Sequence, residues 1–403
     1  MNKIELLSPA GDMERLNCAL MYGADAVYLA GKEFGMRTAS ANFDFDELKK
    51  AVECAHEKGV KVYLTCNTLP RNEEISKLPE MIKTWVKCDI DAFIVTDLGV
   101  LSLVKKYAPD TEVHFSTQTG MVNYLAATEA YNMGAARIVV ARELSLNEIK
   151  VIRDKTPPKL MIEAFVHGAM CMSYSGRCLI SSYLTGRDAN RGDCVQPCRW
   201  KYHLMEETRP GIYFKVFEDD LGTHIMNAKD LCMIEHVSEL FEAGISSFKI
   251  EGRAKSAYYT AATTYAYRQA IDFYYSNPKE KLPLWIKEEA NKVSHREYST
   301  GFYFGQPNQV VSYGGYERDY SVVAIVTGYE KGRLILSQRG KFFSGDELDV
   351  MPPNAKSFLI NAEDLRDEKG NLIESAPHAM MTVSIKFDRP LPIGTYFRKA
   401  NET

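Results

Sequence analysis

One pattern recurs along the first 251 residues and limits the fold more than any other feature. A helical stretch ends in a Gly- or Asp-containing turn, and a short apolar strand follows. Gly23-Ala-Asp-Ala-Val-Tyr-Leu-Ala30, Asp89-Ile-Asp-Ala-Phe-Ile-Val-Thr-Asp97, Gly134-Ala-Ala-Arg-Ile-Val-Val-Ala-Arg142 and Gly244-Ile-Ser-Ser-Phe-Lys-Ile-Glu251 are the clearest instances. Helix alternating with strand means parallel strands, because a parallel pair needs a long crossover rather than a tight turn. Strands are expected at 4–9, 26–30, 60–66, 92–96, 112–117, 137–142, 160–166 and 246–251. Helices such as 45–58 and 144–155 fall between them. Eight βα units fit a (β/α)8 TIM-type barrel, an α/β fold. An open doubly wound sheet is the competing architecture, since periodicity does not report closure.

The interval after the seventh strand is far longer than the others. Residues 169–227 read as an insertion on that loop, closed by a hairpin of 213–217 with 223–226. A seventh helix is expected from about 227 to 242, and an eighth over 255–275. The barrel would then fill 1–275. Residues 276–319 read as a linker with a short helix at 284–294. From 320 to 403 the pattern is all-β, with strands at 321–327, 333–338, 347–351, 380–387 and 395–398, so a small β-barrel or sandwich is expected.

Apolar residues make up 45% of the chain and charged residues 25%, enough for a sizeable core. The net charge of −4 confines any nucleic-acid surface to a local patch. No apolar run reaches the length of a membrane span and no signal-peptide core is visible, so a cytoplasmic location is expected. Thiols stay reduced there, which turns the nine cysteines toward metal binding or burial rather than disulfides.

Four of them share the insertion, with the spacing Cys171-x6-Cys178-x15-Cys194-x3-Cys198. Four thiolates suit a tetrahedral metal or a [4Fe–4S] cluster. Neither pair has the tight two-residue spacing of a zinc knuckle. Gly168, Gly176, Gly186 and Gly192 allow backbone to fold closely around a cluster. Cys18, Cys54 and Cys88 lie in helical patterns and Cys66 at a strand end, and all four read as small buried hydrophobes. Cys232 reads as the start of the seventh helix and is an alternative to Cys198 as fourth ligand.

Catalytic groups in such barrels stand at the C-terminal ends of the strands. Those ends supply Asn67, Asp97, Gln118, Arg142, Glu143, His167, Lys249, Glu251 and Arg253. His167, Glu143 and Glu251 are the acid/base candidates, and His167, four residues before Cys171, reads alternatively as a group supporting the cluster or as a satisfied structural histidine. Arg37, Arg142 and Arg253 could converge on a small anion, since guanidinium groups grip carboxylates bidentately. The alternative is a rim network in which Arg142 pairs with Glu251 and Arg253 with Glu143. The insertion also carries Arg177, Arg187, Arg191, Arg199 and Lys201 against Asp188 and Asp193, interleaved with Tyr174, Tyr183, Trp200 and Tyr202. Such a mixture suits either single-stranded RNA or a solvated loop whose aromatics pack on the cluster.

The run Glu163-Ala-Phe-Val-His-Gly-Ala-Met-Cys-Met-Ser-Tyr-Ser-Gly-Arg-Cys-Leu-Ile-Ser182 closely resembles the signature of the collagenase-like peptidase family U-32. Leu6-Leu-Ser-Pro-Ala-Gly11, Gly23–Tyr28, Arg142–Ser145, Asn190–Trp200 and Lys249–Arg253 match it as well. The Cys194-x3-Cys198 pair ending in Arg-Trp is similar to the branch that hydroxylates transfer RNA. That resemblance implies formation of 5-hydroxyuridine at the wobble position of a tRNA anticodon loop. It also implies a [4Fe–4S] cluster and dependence on prephenate, a small anionic cosubstrate. Other branches act on ribosomal-RNA cytidine or on ubiquinone rings, and some ubiquinone-branch members use a cysteine near position 232. The family's peptidase label finds no His-Glu-x-x-His or Gly-x-Ser-x-Gly here, and no evident Cys–His pair free of the cluster. A pair assembled only by folding stays open.

Overall fold

The computed structural model describes all residues except 1–2, 36–41, 171–177, 179, 188–192, 198–216, 220–221, 225–228, 306, 308–315 and 402–403. Eight parallel strands form the barrel: β1 Glu5–Pro9, β2 Ala26–Ala30, β3 Lys61–Cys66, β4 Ala92–Val95, β5 Glu112–Phe115, β6 Arg137–Val139, β7 Met161–Ala169 and β8 Ser247–Ile250. Each pairs with the next, and β8 pairs with both β1 and β7. That last pairing closes the sheet and decides against the open alternative.

The wall helices are α1 Met13–Met21, α2 Phe45–His56, α3 Leu78–Val86, α4 Leu98–Tyr107, α5 Tyr124–Asn132, α6 Leu146–Lys155, α7 Val237–Glu242 and α8 Ala257–Ser276. Several start on a side-chain cap immediately past a strand. Asp12, Asp97, Asn123 and Ser256 each accept from a backbone N–H of the first turn. Asp44 with Glu47, and Ser145 with Glu148, form reciprocal capping boxes. These caps fix where the chain turns from strand to helix. Asp97, a rim candidate from sequence, is thereby engaged as a helix cap.

Two expectations are corrected after β7. The helix expected from 227 to 242 begins only at Val237, behind a 3-10 turn at Ile234–His236. Asp230–Cys232 is instead a strand, antiparallel to the far end of β7 and paired on its other side with Tyr298–Ser299. β7 runs nine residues, long enough to accept β6 and β8 first and this strand beyond them. The expected hairpin lies at Phe217–Asp219 with Gly222–His224, and residues 213–216 and 225–226 of the expected arms lie outside the described residues.

The C-terminal sheet is antiparallel, in the order Phe358–Asn361, Glu347–Met351, Tyr396–Ala400, Tyr320–Glu330, Arg333–Gln338, Thr382–Lys386, Arg366–Asp367. It has its own core around Val323, Leu336, Leu348, Ile385 and Phe397. Buried ion pairs fasten it to the barrel side. Arg398 reaches Glu289, on the helix Leu284–Asn291, at 2.7 Å, and Lys292, just past that helix, reaches Asp349 of the sheet at 2.7 Å. Tyr22, which caps the C-terminus of α1, donates to the Met351 carbonyl at 2.9 Å.

Candidate active site at the barrel mouth

The lumen is charged below the mouth. Arg137 reaches Glu5 at 2.5 Å and Glu163 at 2.9 Å, and Lys249 Nζ lies 2.7 Å from the other Glu163 oxygen. Tyr63 and Ser247 donate to Glu5 at 2.6 and 2.8 Å. Burial pushes the Glu5 carboxyl up, but the Arg137 charge and the hydrogen bonds from Arg137, Tyr63 and Ser247 outweigh it and hold it at about 2. Two carboxylates thus meet two cations in a closed, hydrogen-bonded layer. The signal for it was legible: Arg137, Glu163 and Lys249 each interrupt an otherwise apolar strand, where an unpaired charge is prohibitively costly. Their convergence was not.

At the mouth, Arg142 lies on the face of Phe165, its guanidinium carbon 3.9 Å from the ring centroid. It donates to the Ala169 carbonyl at 3.2 Å and stands 3.5 Å from Glu251. The rim pairing of Arg142 with Glu251 is therefore present. Arg253 is buried, with Nη1 3.5 Å from Thr65 Oγ1 at the end of β3. Glu143 and Glu251 are half-buried. Thr96 donates to the Asn67 carbonyl at 3.1 Å, and its Oγ1 is 3.4 Å from Gln118 Oε1. Two glycines let the Glu251–Arg253 loop sit this deep. A Cβ on Gly11 would lie 2.2 Å from the Arg253 carbonyl oxygen, and one on Gly168, at φ +108°, 2.5 Å from that of Glu251. Arg37 lies outside the described residues.

His167 is enclosed rather than open to the mouth. Tyr259, Tyr267 and Tyr298 surround its ring at centroid distances of 6.0, 5.5 and 5.3 Å. Its Nε2 is 3.4 Å from the Tyr298 hydroxyl, and Nδ1 has no hydrogen-bond partner among the described residues. Burial first, then the nearby His295 and Lys255, push its pKa down to about 3, so the ring is neutral near pH 7. That is a poor setting for a general acid at neutral pH.

Of the insertion cysteines, Cys178 and Cys194 are described, both half-buried and neither in a disulfide among the described residues. Cys171 and Cys198 lie outside the described residues. The backbone N–H of Gln196, a residue at φ +57°, points at Cys194 Sγ over 3.3 Å. N–H donation to sulfur stabilises thiolate, and such bonds tune iron–sulfur clusters, so this donor set fits the expected group. Among the described residues, no three His, Cys, Asp or Glu side chains stand together as a metal site. Arg187 of the insertion is ion-paired with Asp193. Cys232 lies on the strand beside β7, directly across from His167, with the Tyr267 hydroxyl 4.0 Å from its sulfur. Burial raises it to about 11, so it remains a thiol. Cys18, Cys66 and Cys88 are buried as expected, and Cys54 half so.

Comparison with known proteins places these features. The model of "Peptidase family U32" matches residues 11–312, and that of its C-terminal domain matches 318–398. The chain is 36% identical to the "tRNA hydroxylation protein P1" of Bacillus subtilis, over 98% of this chain and 95% of that protein. It is 35% identical to the "tRNA hydroxylation protein P" of Escherichia coli, over 98% and 96%. A protein of Porphyromonas gingivalis named "Collagenase" is 30% identical over 96% and 95%. With both of its domains matched over nearly their whole length, this chain belongs to peptidase family U32.

Proposed function

We propose that the chain is an RNA hydroxylase acting on tRNA, and that it forms 5-hydroxyuridine at the wobble position of the anticodon loop. The observation that carries this reading is the near full-length similarity to proteins named for tRNA hydroxylation. Ring hydroxylation needs redox chemistry that no side chain supplies. A [4Fe–4S] cluster held by Cys171, Cys178, Cys194 and Cys198 would supply it. Prephenate carries two carboxylates, and Arg37, Arg142 and Arg253 are the residues assigned to hold it. An anticodon loop presents unstacked bases, so no duplex has to be opened for a base to reach the mouth.

Mass spectrometry of tRNA nucleosides from cells lacking the protein, together with any redundant relative, tests this reading. The hydroxylated wobble nucleoside and its derivatives should disappear. Unchanged tRNA nucleosides, with loss of a hydroxylated ribosomal cytidine or of ubiquinone, would move the activity to another branch of the family.

Proteolysis is the second reading, favoured by the relative named "Collagenase". Folding does bring one Cys–His pair together, Cys232 across from His167. The imidazole is enclosed and depressed and the half-buried thiol is raised, which is the reverse of an activated nucleophile and its base. Gelatin cleavage by cluster-free protein, lost on Cys232→Ser, would restore that reading.

A further inference from the structure

Between the barrel and the β domain lies a cavity of about 430 Å³, within the range of small-molecule sites. Lys255 and Tyr258, from the loop after β8 and the first turn of α8, form one wall. Tyr316, Arg318 and Tyr320, at the start of the β domain, form the other. Lys255 is half-buried between aromatic rings, its Nζ 4.8 Å from the centroid of Tyr316 and 5.4 Å from that of Tyr259. The Arg296 guanidinium lies 5.2 Å from the centroid of the same Tyr316 ring. Neither Lys255 nor Arg318 has a salt-bridge partner among the described residues. Glu317, which precedes Arg318 in the chain, faces His295 at 3.8 Å.

A chain of net charge −4 has thus gathered Lys255 and Arg318 among tyrosine rings in one cleft, with no acidic side chain among the described residues paired to either. Cations beside exposed aromatic faces are what a single-stranded nucleic acid uses, phosphates on the charges and bases or riboses on the rings. The cleft also adjoins the mouth. Lys255 follows Arg253 by two Cα steps, at most about 7.6 Å. We propose that this cleft holds the backbone of single-stranded RNA next to the base that enters the barrel. The proposal rests on the RNA-hydroxylase reading and adds to it where the strand is gripped.

The test is binding of total tRNA, isolated from cells lacking the protein, to the full-length iron-loaded chain across a series of salt concentrations. Lys255→Gln combined with Arg318→Gln should weaken binding roughly tenfold or more. The slope of log affinity against log salt should fall by about 1.4, at about 0.7 for each phosphate of a single strand that is no longer neutralised. Arg318 is exposed, so Arg318→Gln alone leaves the fold intact and should show about half that slope change. Unchanged affinity and slope in both variants, with wild-type protein still binding and hydroxylating tRNA, overturn the cleft assignment alone. Loss of uridine monophosphate binding with RNA binding untouched also overturns it, by making the cleft a small-anion site. Wild-type protein that neither binds nor modifies tRNA removes the hydroxylase reading and this proposal together.

Discussion

At the lower end of the barrel, Arg137 sits between Glu5 and Glu163 at 2.5 and 2.9 Å, with every acidic group met by a cation or hydroxyl. At the mouth, Arg142 reaches Glu251 only at 3.5 Å and rests on Phe165. The same residue type is used in two ways. In the lower layer both carboxylates are held at 2.5–2.9 Å, and these charges hold one another in the position that closes the barrel. The ion pair at the mouth is the longer one, and the proposed anion site draws on it. A buried charge is costly to strand, whereas a charge with spare capacity is cheap to redirect.

The sharpest test of the mouth concerns the insertion above it. Cys178→Ala and Cys194→Ala should purify anaerobically without iron, against about four iron atoms in wild-type protein, as a cubane cluster requires. Cys232→Ala should keep its iron, since that thiol is half-buried, protonated and engaged by Tyr267. Iron lost from Cys232→Ala but kept in Cys198→Ala would exchange the fourth ligand and bring the insertion down onto the strand beside β7.

The lower layer breaks next. Arg137→Ala leaves Glu5 and Glu163 facing each other with only Lys249 to offset them. Removing one partner of a buried pair costs about 3–5 kcal/mol. The melting temperature should fall by many degrees, or soluble protein should be lost. A variant that melts like wild type would show that the layer is not what holds the barrel closed.

Arg142→Ala and Arg253→Ala probe the arginines at the mouth. A charge-assisted contact is worth about 1.5–3 kcal/mol, so prephenate binding should weaken roughly ten- to a hundredfold with iron content unchanged. Unchanged prephenate affinity with a lowered melting temperature would make these arginines as structural as Arg137, and the contrast between the two ends would disappear.

Much of this contrast was half visible in the sequence. The eight strands announced themselves, because each turn residue and apolar run is a local signal. Their closure depends on β8 meeting both β1 and β7, which no local pattern encodes. Asp230–Cys232 read as helix because three residues carry no period, and they become a strand only because β7 runs on to Ala169. Phe342–Phe343 and Ser375–Ala376 escaped for the same reason. Among site candidates, the pairing of Arg142 with Glu251 was legible, since both end barrel strands. His167 reads from sequence as an acid/base group, a group behind the cluster or a structural histidine, and the enclosure that favours the last is a tertiary fact. Tyr259 and Tyr267 come from α8 and Tyr298 from the segment after it, about 90–130 residues further along the chain.

That enclosure makes the smallest predicted effect, and it separates His167 from the mouth by pH alone. The folded protein holds the imidazole neutral down to about 3, whereas the unfolded chain protonates near 6.5. Above pH 6.5 both states are neutral and His167 contributes nothing that depends on pH. Below it the unfolded state binds the proton and the folded state does not, so stability falls as pH falls from 6.5 toward 3. At about 1.36 kcal/mol per unit, the loss reaches about 2 kcal/mol by pH 5. The measurement is the melting temperature of wild type and His167→Gln at pH 7.5 and pH 5. Wild type should lose more than the variant, because glutamine keeps a polar group beside Tyr298 but cannot titrate. An equal loss in both proteins would mean that His167 takes up its proton in the folded state. It would then be as accessible as the groups at the mouth, and its acid/base role would be open again.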